Sequence, residues 1–132
     1  MAAVILTVIG FVLLEAPLEN SDGRVLARVG ATAYLFAGTF DVAAEALDLT
    51  RKEQSYYPLV VIYIVLGYLA QAAIGGSLLQ SSLLSAWIGW ATIVWCIGWL
   101  MAFLITRLSA WIPILHQVMP LVIGIALLLA TP

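Results

Sequence analysis

Apolar residues gather into five long runs along the chain, broken by short polar stretches. Residues 2–17 (AAVILTVIGFVLLEAP) form the first run, and LENSDG follows as a polar turn whose Asn20, Ser21 or Asp22 can cap a helix. The second run covers residues 25–49, and 50–57 (TRKEQSYY) is the most polar stretch of the chain. A third run spans 58–80, opened by Pro58, a residue suited to the first turn of a helix because its missing N–H goes unpaired there. The fourth covers 87–106 and the fifth 110–130, joined by Arg107-Leu108-Ser109. Runs of roughly 20 apolar residues match the length of helix that crosses about 30 Å of hydrocarbon. The pattern therefore predicts a single all-α domain, an integral membrane helical bundle of five transmembrane helices, or four if the short first run does not cross. A signal peptide is the rival for that run, but it lacks a basic leading region and a small-residue cleavage site. The brief link between the third and fourth runs predicts an antiparallel hairpin.

The second run differs from the others. Stepping through it by alternating threes and fours gives Ala27, Ala31, Tyr34, Gly38, Asp41, Glu45 and Asp48, all on one helical stripe. Small residues in its first half let a neighbouring backbone approach. Its second half is acidic. The opposite face, with Val29, Phe36, Phe40 and Leu47, suits lipid, so the stripe is expected to face the bundle interior. At about 1.5 Å per residue, Asp41 lies roughly 13 Å inside from Thr50 and Glu45 roughly 7–8 Å. A charge near mid-bilayer costs about 2.5–3.5 kcal/mol on insertion scales, so such residues face partners or water.

Composition agrees with this pattern. The 132 residues are 64% hydrophobic and 9% charged, with a mean hydropathy of +1.13, against about 45–50% and about 25% in soluble domains. The net charge of −2 and five scattered basic residues argue against a nucleic-acid partner. Arg51, Lys52 and Arg107 fall on one predicted side, Arg24 and Arg28 on the other, which places the 50–57 loop in the cytoplasm by the positive-inside rule. The single cysteine, Cys96, sits in an apolar run and reads as a small hydrophobe.

Polar residues inside the runs are the candidate chemistry. His116 and Tyr63 enter from the same side as the acidic end of the second run, about 10 Å and 9 Å deep. Asp41, Glu45, Tyr63 and His116 are thus expected to form one polar layer, approached by Thr7 and Trp99. The plainest version is an Asp41–His116 hydrogen-bonded pair that fixes helix packing; a proton-linked or solute-binding pocket is the functional version. Gln71 reads as interhelical glue. Pro113 and Pro120 flank His116-Gln117, and each frees a carbonyl one turn earlier. No catalytic motif is present, so no enzyme activity and no cofactor are expected. One histidine excludes a bis-histidine haem within the chain, separate carboxylates lack metal-ligand spacing, and no lysine lies in a predicted span to hold retinal.

The run GGSLLQSSLLSAWIGWATIVWCIGWL resembles the C-terminal half of a family of uncharacterised bacterial multi-pass membrane proteins, a domain of unknown function. The likeness covers about residues 65–130, and its motifs are apolar. It implies a bacterial or archaeal cell membrane, and a chain that is a short member or a piece of a longer one. No function comes with it. The expected role is a structural or accessory protein that packs within the bilayer, self-associating or joining a larger complex. A small transporter or binder of solute, lipid or protons is the alternative.

Overall fold

The computed structural model describes residues 2–49, 53–106 and 115–130. Among them the protein is all-α, with no strand: α1 (Ala2–Leu14), α2 (Arg24–Leu49), α3 (Glu53–Gln80), α4 (Ala86–Thr106) and α5 (Val118–Ala130). The α2–α3 interface is the most extensive, followed by α3–α4; α1 lies against α2, and α5 makes lighter contact with α4.

The helix boundaries have local causes. α1 ends at Leu14, three residues before the predicted limit. Pro17 has no N–H for the Leu13 carbonyl, and the Ala16 N–H takes that acceptor instead at 3.4 Å. A series of tight turns then leads to α2. Ser21, one of the three expected capping residues, does not cap that helix. Ser21 Oγ donates back to the Leu18 carbonyl, and the first α2 bond runs from Ala27 N–H to Gly23 O at 3.0 Å. α3 starts at Glu53 inside the stretch read as a loop, which moves Pro58 beyond the first turn. Glu53 and Gln54 are good helix formers, and they extend the helix outward past the apolar run.

Close backbone contact sets the helix spacing. A Cβ on Gly75 would stand 3.0 Å from the Gly89 carbonyl oxygen, and one on Gly89 would stand 2.8 Å from that of Gly75. Two glycines thus let α3 and α4 touch as the expected antiparallel hairpin, turned through Ser82 at a φ of 31°. On α2, Ala27, Ala31, Tyr34 and Ala37 are fully buried against α3 and α1.

Among the described residues, two helices are long and apolar enough to cross a membrane: Tyr56–Gln80, of 25 residues, and Ala86–Ile105, of 20. α1 and α5, at 13 residues each, reach only about 20 Å. α2 has 26 residues but carries Arg24, Arg28, Asp41, Glu45 and Asp48. Among the described residues, therefore, two of the five predicted spans are long and apolar enough to cross, and positions 110–114 of the fifth lie outside those residues. The 107–109 turn and Pro113 lie outside the described residues.

Candidate functional site

The centre of the molecule is built around the segment leading into α5. Residues 115 and 116 are helical and Gln117 is a turn. Pro120 cannot donate to the carbonyl four residues earlier, which is that of His116. Gln71, from the middle of α3, fills the gap: its Nε2 donates to His116 O at 2.9 Å. Cys96 Sγ on α4 donates to Gln71 Oε1 at 3.7 Å. Trp95 Nε1, also from α4, donates to the Leu115 carbonyl at 3.3 Å. Side chains from α3 and α4 therefore take up two carbonyls of the segment that leads into α5, as buried backbone groups require.

Gln117 continues the network in the other direction. Its Nε2 donates to Tyr34 Oη at 3.3 Å and Tyr63 Oη at 3.4 Å, while Thr7 Oγ1 of α1 donates to Gln117 Oε1 at 2.9 Å. One glutamine thus joins α1, α2 and α3.

The His116 ring is wholly enclosed. Tyr34 stacks on it at 5.6 Å between centroids and 20° between planes, Tyr63 tilts against it at 5.0 Å, and Tyr68 meets it edge-on at 4.6 Å. Phe11 of α1 packs edge-on against Tyr34 at 5.1 Å. Ring pairs of this geometry contribute about 0.5–1.5 kcal/mol beyond area burial. Gly67 supplies the remaining wall, since any Cβ there would overlap the imidazole. Among the described residues, neither His116 ring nitrogen has a hydrogen-bond partner, nor has Tyr68 Oη or Asp41 Oδ2.

The structure thus brings two of the four anticipated residues, Tyr63 and His116, into contact. Asp41 and His116 do not pair: the Oδ2 of one and both ring nitrogens of the other lack partners among the described residues. Beyond Asp41 the acidic half of the stripe turns out of the interior. Asp41 is half-buried, Glu45 and Asp48 are exposed, and Ala44 takes the buried position. Desolvating the Glu45 and Asp48 carboxylates as well would cost far more than burying Ala44. Thr7 does reach the centre, through Gln117. Trp99 instead packs on Trp95 at 5.8 Å, and Trp95 is the tryptophan that contacts the α5 segment.

Tyr34, Tyr68, Gly67 and Gln117 complete the site without having been singled out as members of the layer. Some signals were present. Tyr34 lay on the α2 stripe, and Tyr63, Gly67 and Gln71 repeat every four residues along one face of α3. Among the described residues, no group of three His, Cys, Asp or Glu side chains is placed to hold a metal ion.

Beside this centre a cleft of about 670 Å³ opens between α1 and α5, lined by Leu6, Thr7, Gly10, Gln117, Gly124 and Leu128 among others. The bonded Thr7–Gln117 pair is the polar spot in a largely apolar lining. Against this geometry, no protein family, no curated protein and no solved structure matches the chain.

Proposed function

We propose that this chain is an integral membrane protein with a structural or accessory role, its polar centre serving to hold five helices in register. The observation that supports this is the division of its side chains. Thr7, Tyr34, Tyr63, Gln71, Cys96 and Gln117 direct their polar atoms at one another and at the α5 backbone. Large apolar residues meanwhile point outward from every helix, including Leu6, Phe36, Leu69, Ile105 and Leu128. An exterior of that kind is costly in water and natural in hydrocarbon. Trp87 and Trp90, both exposed near the start of α4, suit the membrane interface.

The test is extraction followed by purification. Under this reading the chain stays with membranes through an alkaline wash. It then leaves mild detergent in fixed ratio with a partner protein or with further copies of itself. Release by the wash would reject the membrane assignment. The α1–α5 cleft supports a second reading, a binder of an apolar small molecule or lipid; recovery of a monomer carrying such a molecule would favour it over the accessory role.

A further inference from the structure

We infer that His116 and Tyr68 share an internal water molecule at the centre of the bundle. A neutral imidazole has one N–H donor and one acceptor nitrogen, and a phenol has a hydroxyl that does both. Leaving such a group unpaired in a closed interior costs about 1–3 kcal/mol. Native interiors meet the demand with protein groups or with ordered water. Here the orphaned atoms are His116 Nδ1 and Nε2 and Tyr68 Oη, on two side chains exposed by 0% and 1%.

The neighbouring polar groups are engaged with other partners, each tyrosine hydroxyl as an acceptor that keeps its own O–H. The Tyr34 and Tyr63 hydroxyls accept from Gln117, and Gln71 joins the His116 carbonyl to Cys96. The imidazole cannot swing away to find another partner, because Tyr34 covers one face and the Gly67 backbone closes its edge. Tyr68 is the nearest ring, at 4.6 Å, and its hydroxyl is the one phenol of the three with nothing bound among the described residues. A water donating to the acceptor nitrogen of the ring and bonded to Tyr68 Oη satisfies the phenol and one of the two ring nitrogens, with the two polar partners a buried water needs at the least. This does not depend on whether the chain crosses a bilayer.

His116 is the chain's one histidine, so ¹⁵N-labelled imidazole reports on this site alone. In the folded chain, magnetisation transfer from water protons to the imidazole, measured by water-edited NMR, is expected, with one ring nitrogen showing the shift of a hydrogen-bonded acceptor. Tyr68→Phe removes the second anchor and is expected to abolish most of that transfer while the Tyr34–His116 ring contact persists. Absence of water transfer in the unmodified chain, with Tyr68 bonded directly to the ring, would overturn the inference. So would full transfer retained in Tyr68→Phe.

Discussion

The Gln71–His116 bond is where a single residue's chemistry can be measured most cleanly. Gln71 answers a need created by Pro120, so the two are coupled although they lie on different helices. Gln71→Leu is expected to destabilise the protein by about 1–3 kcal/mol, the cost of a buried carbonyl left unpaired. In a Pro120→Ala background the backbone N–H returns to that carbonyl, and the same substitution is expected to cost clearly less. A double-mutant cycle by denaturant titration in micelles measures the difference; equal costs in both backgrounds would show the coupling is absent. Gly67→Ala tests the wall of the same site. Its methyl has to displace the imidazole, at about 1–3 kcal/mol for an overpacked interior, and the His116 ring signals should shift with it. Here the sequence was half legible. Proline marks the freed carbonyl by its covalent structure, and Gln71 reads as glue because an amide in an apolar run needs a partner. Which amide meets which carbonyl depends on how α3 and α5 lie together.

At the scale of elements, α4 contains its own control. Gly89 touches the α3 backbone, whereas a Cβ on Gly98 would meet nothing within 4 Å. Gly89→Ala is therefore expected to push α3 and α4 apart and lower stability. Gly98→Ala should be neutral or stabilising by up to about 1 kcal/mol, the helix propensity gained. Thermal unfolding of both variants checks the contrast, and equal destabilisation would mean the glycines are not spacing the hairpin. The hairpin itself was readable, since a short link between two long apolar runs leaves few alternatives. The acidic half of α2 was not. Periodicity extends a stripe as though the helix had a neighbour along its whole length. In the structure Asp41 is half-buried and Glu45 and Asp48 are exposed, because a solvated carboxylate costs far less than a desolvated one.

For the whole molecule, the alternation of helices fixes which connections share a side. The turn before α2 and the link after α3 lie together, and the end of α2 lies opposite. With Cys96 replaced by alanine, single cysteines at Asp22 and Ser82 are expected to react with an impermeant maleimide from the same face of sealed vesicles. A cysteine at Asp48 should react only from the other face. Asp22, Asp48 and Ser82 are all exposed, so access is not the limiting factor. Labelling of all three from one face would reject a bundle that crosses the bilayer through α2 and α3.

Composition and hydropathy alone determined that the chain is helical, that its exterior tolerates hydrocarbon, and that α3 and α4 form a hairpin. These follow from local propensity and from the free energy of placing each residue in or out of water. The histidine enclosed by three tyrosines was decided by the tertiary structure. Tyr34, Tyr63, Tyr68, Gly67 and His116 come from three separate segments of the chain. Their meeting depends on the rotation of α2 and α3 about their axes, which is set by where small residues let two backbones touch. No local pattern encodes that rotation, because it is a property of pairs of helices.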